Sequence, residues 1–100
     1  YESVVAHNPG TPVVITEAGW TTTSNGRGID PWNASQDLQA HYFAQFMEWT
    51  AENQVLAFVF EAFDEPWKGS PDPREPEKHW GLFTVDRRPK LVMKDLYAHL

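Results

Sequence analysis

The sequence predicts an α/β fold with parallel strands, and within it the last two β/α units of a larger architecture. Three observations predict this. Two apolar, β-branched runs, Pro12–Thr16 and Val55–Phe60, each pass straight into carboxylates, and an unbroken apolar run is what a strand covered on both faces requires. A segment with helical spacing lies between them. The pattern also fails to close, because two parallel strands and their helices leave each strand with an unpaired edge and an uncovered face.

The elements follow in chain order. Tyr1 to Asn8 reads as the tail of a helix with Val4 and Val5 apolar, ended by Asn8-Pro9-Gly10. The first strand then delivers Glu17 at its carboxyl end, followed by Gly19 and Trp20. Thr21 to Trp32 is a polar, glycine-rich loop. Asn33 caps the next helix, with Gln36 three residues on completing a capping box, and Leu38, Tyr42, Phe46 and Trp49 recur along one face. Asn33-Ala34-Ser35 also matches a glycosylation sequon, and its role as a helix start is the expected one. The second strand ends in Glu61, Asp64 and Glu65, and strand alternation puts Glu61, Phe63 and Glu65 on one side. Gly69 to His79 is a proline-rich loop, and Lys90 to Leu100 a final helix with Leu91, Val92, Leu96 and Leu100 apolar. Strand, crossover helix and parallel strand therefore bring both sets of acids to one edge.

Composition narrows the chemistry. Hydrophobic residues make up 41% of the chain, enough for a core, and the net charge is −6. No basic patch exists beyond Arg87-Arg88-Pro89-Lys90, which argues against nucleic acid and for a neutral polar substrate. The absence of cysteine rules out a disulfide framework. No apolar run approaches membrane-spanning length. The four histidines show no ligand spacing, so neither a metal nor a cofactor is expected. No phosphate-binding glycine motif and no serine elbow is present.

A carboxylate at the carboxyl end of a parallel strand stands where α/β enzymes do their chemistry. Its ordinary alternative is a strand-terminating surface residue. Five tryptophans, three of them (Trp20, Trp67 and Trp80) beside acids or strand ends, add flat apolar faces of the kind that pack on the C–H faces of sugars. Each is equally explicable as a core residue. Acids and aromatics at one rim together suggest a carbohydrate cleft.

With these residues assembled, the chain resembles the carboxyl-terminal part of family 17 glycoside hydrolases, the β-1,3-glucanase family, in its bacterial branch. The segments that carry the resemblance are ITEAGW, AFVFEAFDEPWK and EKHWGLFTVDRRPK. The resemblance implies a (β/α)8 barrel of which residues 1–100 are the carboxyl-terminal part, with the seventh and eighth strands here. It implies Glu17 as the nucleophile, Glu65 and Lys68 as cleft residues, Glu77 as a supporting glutamate, and Trp20 and Trp80 as substrate-binding rings. The substrate implied is a β-glucan oligo- or polysaccharide. The general acid/base belongs to the family's fourth strand, within the roughly 150 residues that a barrel of about 250 would have on the amino-terminal side of this part. Lys68 is expected to help keep Glu17 ionised and to pair with Glu65 or Glu77. A degenerate, non-catalytic carbohydrate-binding barrel is the alternative, and four intact ionisable residues at the rim weigh against it.

Overall fold

The protein is described by a computed structural model covering residues 1–96, with side chains through residue 94. Helix α1 spans Glu2–His7, strand β1 Ile15–Ala18, helix α2 Gln36–Asn53, strand β2 Ala57–Val59 and helix α3 Leu91–Leu96, with short 3-10 turns at Pro31–Asn33 and Pro76–Lys78. The two strands form a parallel pair, Ile15 opposite Ala57 and Ala18 opposite Val59. Hydrogen bonds from Ile15 N to Leu56 O (3.0 Å) and from Phe60 N to Ala18 O (2.8 Å) extend the pairing at both ends. The order strand, crossover helix, parallel strand is the one expected. Leu100 of the predicted last helix lies outside the described residues.

Both strands are shorter than their apolar runs. β1 begins only at Ile15, after Pro12, which has no N–H to give a ladder. β2 stops at Val59, and residues 61–65 pair instead with the segment 78–83: Glu61 N donates to Trp80 O (3.2 Å), Leu82 N to Glu61 O (2.9 Å), Phe83 N to Ala62 O (2.9 Å) and Glu65 N to Lys78 O (3.2 Å). The expected strand alternation through Glu65 therefore has no strand to rest on. The strands are also not covered on both faces. Thr16 and Glu17 are exposed, and Leu56, Phe58 and Val59 are 59%, 54% and 43% exposed.

The start of α2 corrects the expected cap. Ser35, in extended conformation, is the N-cap, its Oγ accepting from Leu38 N at 3.1 Å. Asn33 is instead consumed by the 3-10 turn that Pro31 initiates. Gln36 serves a different helix, its Oε1 accepting from Leu91 N at 3.0 Å where α3 begins. The buried positions of α2 are Gln39, Ala40 and Phe43, and Ala40 and Phe43 meet Val92 of α3 in the core, with Leu82, Leu91 and Met93 packed around them.

The predicted stripe of Leu38, Tyr42, Phe46 and Trp49 is half-buried. Its aromatic members stack on one another, Tyr42 on Phe46 at 5.7 Å and Phe46 on Trp49 at 6.3 Å, and Tyr1 meets Trp49 edge-on at 5.4 Å. That last contact joins the residue ahead of α1 to α2. The radius of gyration is 15.0 Å, against about 13 Å for a compact chain of this length.

Candidate active site

Glu17 stands one residue from the end of β1 and is exposed to solvent, not buried as a strand covered on both faces would leave it. It opens onto a cavity of about 420 Å³ lined also by Ala18, Gly19, Tyr42, Phe60, Glu77 and Trp80. Gly19 makes this geometry possible. A Cβ there would lie 1.9 Å from the Phe60 carbonyl oxygen and 3.0 Å from Cε3 of Trp80, so only glycine lets the end of β1 press against the end of β2 while the indole closes over it. Trp80 also meets Phe60 edge-on at 6.1 Å. Its Nε1 is buried and has no partner among the described residues.

Beside this cavity, Pro66 folds the chain into a turn closed by Lys68 N to Glu65 O (3.1 Å). The Lys68 ammonium comes back over Glu65 Oε2 (2.5 Å) and Glu61 Oε2 (3.2 Å), and lies 4.7 Å from the centre of the Phe60 ring. The expected partnership with Glu65 is present. Glu77 is exposed on the Pro76–Lys78 turn and lines the Glu17 cavity without taking Lys68. The charge of Lys68 goes to Glu61 and Glu65, whose side chains are closer than any other acid, and Glu17 forms no ion pair among the described residues. Burial, then the hydrogen bond to Glu65, push the Glu61 carboxyl up to about 7 against the opposing pull of Lys68. Glu65 is held below the ordinary value by its hydrogen bonds with Glu61 and then Lys68. The Lys68 ammonium is raised above its ordinary value by Glu65.

Trp20 does not line the Glu17 cavity. Its indole N–H donates to Asn33 O at 2.8 Å and its ring tilts against Tyr42 at 5.3 Å, so it backs the Tyr42 wall from the α2 side. Trp67 is 72% exposed and borders a separate hollow with Asp64, Lys78 and His79.

Several residues that hold the site gave little signal in the sequence. Lys90, 2% exposed, donates to Asp64 Oδ1 (2.7 Å), Thr22 Oγ1 (2.9 Å) and His79 O (3.3 Å), and burial lowers its pKa against the raising effect of Asp64. Asp64 Oδ1 also accepts from Gly81 N at 2.9 Å. Lys78, 8% exposed, donates to the carbonyls of Pro66 (2.8 Å) and Lys68 (2.6 Å), fixing the turn from within. Gln39 Nε2 ties α2 to the carbonyls of Trp20 and Gly81, both at 3.0 Å. A lysine ahead of an apolar helix and within the basic Arg87–Lys90 run, as Lys90 is, reads as surface in a sequence. Among the described residues no cluster of three His, Asp or Glu side chains could hold a metal ion, and no helix is long and apolar enough to cross a membrane.

Known proteins share this fold. An endo-laminarinase from Formosa Hel1_33_131 superposes with a TM-score of 0.83 at 35% identity, over 98% of this chain and 25% of that one. The glycoside hydrolase family 17 β-1,3-glucanosyltransferase of Rhizomucor miehei superposes with a TM-score of 0.75 at 28% identity, over 92% of this chain and 32% of that one. In sequence, a glucan 1,3-β-glucosidase of Arthroderma benhamiae is 35% identical over 85 residues. The chain is similar to a segment of family 17-like glycoside hydrolases. It covers 78% of itself in that alignment and spans 26% of the Arthroderma relative's length. No family model matches the sequence. The relatives are glycoside hydrolases or a glucanosyltransferase, which agrees with the resemblance carried by ITEAGW and DEPWK.

Proposed function

We infer that this segment supplies one wall of a retaining glycoside-hydrolase cleft acting on β-1,3-linked glucan. It forms the last two β/α units of a (β/α)8 barrel whose general acid/base is carried by another part of the same protein. The observation that carries the reading is the cavity at the end of β1, which Glu17 lines together with Trp80, Tyr42, Phe60 and Glu77. An exposed carboxylate flanked by rings gives a sugar both an apolar platform and a nucleophile at its anomeric carbon. The bare strand faces bearing Leu56, Phe58 and Val59 are surfaces that the remaining units of a barrel would cover.

The reaction is a double displacement. The distant acid protonates the leaving glycosidic oxygen while Glu17 attacks the anomeric carbon, and the glycosyl-enzyme ester is then resolved by water or by the hydroxyl of a second glucan. The similar structures include both kinds of acceptor chemistry by name, an endo-laminarinase and a family 17 glucanosyltransferase. For a retaining route the two carboxyl groups stand roughly 5–5.5 Å apart, so the acid must approach the open side of the cavity.

In the complete protein, Glu17→Gln is expected to abolish turnover of β-1,3-glucan while retaining glucan binding, since the amide keeps the shape but cannot attack carbon. A fluoroglycoside inactivator should label the peptide containing Glu17. A variant keeping a tenth of wild-type turnover, or a label on Glu61 or Glu65, would assign the nucleophile elsewhere.

A further inference from the structure

Glu61 belongs to none of the roles assigned above, yet both its backbone and its side chain are held beside the cleft. Its backbone is held on both sides, N–H to Trp80 O at 3.2 Å and C=O from Leu82 N at 2.9 Å, so its Cα is fixed beside the indole that lines the Glu17 cavity. Its side chain is 14% exposed and meets Lys68 at 3.2 Å. Lys68 in turn faces Phe60, another wall of that cavity, at 4.7 Å. A lysine has four rotatable bonds, and a single partner three residues away on its own turn fixes it poorly. Two carboxylates converging on it, Glu61 from four residues ahead of Glu65, fix it better.

The group has an electrostatic consequence. Two carboxylates and one ammonium carry a net negative charge unless one proton is shared. The other charges facing Glu61 are Glu65 and Lys68 on its own loop and Lys90 from the segment entering α3, and Lys90 is already neutralised by Asp64 at 2.7 Å.

We propose that Glu61 is a positioning residue of this cleft, holding Lys68 against Phe60 jointly with Glu65, the trio being neutral as long as the two carboxyls keep one proton between them. The inference rests on the retaining-hydrolase reading for its effect on catalysis. The burial of Glu61 and its bond to Glu65 place its titration at about 7, with the pair behaving as one coupled unit. Above that pH the shared proton leaves, two like charges face each other, and the geometry around Lys68 loosens. Glucan turnover then falls through a limb that belongs to neither Glu17 nor the distant acid.

The test compares the complete protein with its Glu61→Gln and Glu61→Ala variants. Gln retains an N–H to donate to Glu65 and cannot ionise, so its kcat/KM should hold its neutral value at least one pH unit further into alkali than wild type. Ala removes the bond, and should lose about ten- to a hundredfold in kcat/KM at neutral pH, the equivalent of one charge-assisted hydrogen bond. Superimposable pH profiles for wild type and Glu61→Gln would overturn the proposal. Independently of activity, the carboxyl carbon of Glu61 should titrate near 7 by NMR, with the Lys68 ammonium resonance moving along the same curve. A Glu61 titration at the ordinary value of 4.5, with Lys68 unresponsive, would overturn it as well. A protein that shows both NMR titrations but no action on β-1,3-glucan would sink the hydrolase reading and leave the Glu61–Lys68 clamp standing.

Discussion

Replacing Gly19 by alanine tests the close approach on which the cavity depends. An added Cβ would stand 1.9 Å from the Phe60 carbonyl oxygen, whereas a carbon and a carbonyl oxygen in contact keep about 3.3 Å. The ends of β1 and β2 must then separate by about 1.4 Å. Side-chain rotation cannot relieve this, because the obstructing atom is backbone. The same oxygen belongs to the residue whose N–H bonds to Ala18 O at 2.8 Å, so the separation lengthens the last ladder bond next to Glu17. Overpacking of this kind costs about 1–3 kcal/mol of stability, and a displacement near 1 Å at reacting groups costs about a hundredfold in rate. The assay is kcat/KM on a β-1,3-glucan with the complete protein, alongside its melting temperature. Gly10→Ala is the control, since Gly10 has nothing within 4 Å of an added Cβ but sits at a φ of +79°. It should lower the melting temperature through backbone strain and leave kcat/KM in place. A Gly19→Ala protein with kcat/KM within twofold of wild type would refute the argument that strand contact at Gly19 sets the cleft.

Two further outcomes concern the ionisable groups around the cleft. Asp64→Ala leaves Lys90 buried with only Thr22 Oγ1 and His79 O as acceptors, and should destabilise the complete protein by about 3–5 kcal/mol in denaturant unfolding; a loss under about 1 kcal/mol would mean the pair behaves as a surface one. The pH dependence of stability should carry the signature of Glu61. Its folded pKa is raised, so its contribution is fully present below its unfolded value of 4.5 and is lost as pH rises through about 7, by about 1–3 kcal/mol. Glu65, whose pKa is lowered, acts only below that window. Glu61→Gln should flatten the slope between the two values, and an unchanged slope would remove Glu61 as its source.

The parts of this molecule legible in the sequence are those written by local patterning. The order strand, helix, parallel strand and the position of Glu17 beside a strand end came from apolar runs and helical spacing, and the Glu65–Lys68 pairing from Pro66 between them. Legibility failed where two local signals compete or where a residue's partner lies far along the chain. Ser35 took the cap from Asn33 because Pro31 drew Asn33 into a 3-10 turn, a competition between two local signals that only the three-dimensional chain resolves. Glu61 was expected along a strand that ends at Val59, since nothing in 57–65 announces that its backbone will pair with 78–83. Gln39 reads as a polar position on a helix, and its burial is set by carbonyls at Trp20 and Gly81.

Three lysines gather behind the cleft, and their different partners explain why only one is free to serve it. Lys90 is matched by Asp64 and sealed by Thr22 and His79 O, so its charge is spent in tying the loops after both strands together. Lys78 has carbonyls rather than a carboxylate as acceptors, an arrangement that orients the Pro66–Lys68 turn as a cation orients the end of a helix. With those two immobilised, the backbone carrying Lys68 is fixed from below, and its own ammonium is left to the two glutamates at the rim. A charge held by a rigid turn needs little reorganisation when the charge across the cleft changes during reaction. Removing Lys78 should therefore disturb the cleft through Lys68 although Lys78 itself never faces Glu17, whereas removing Lys90 should act on stability before it acts on rate.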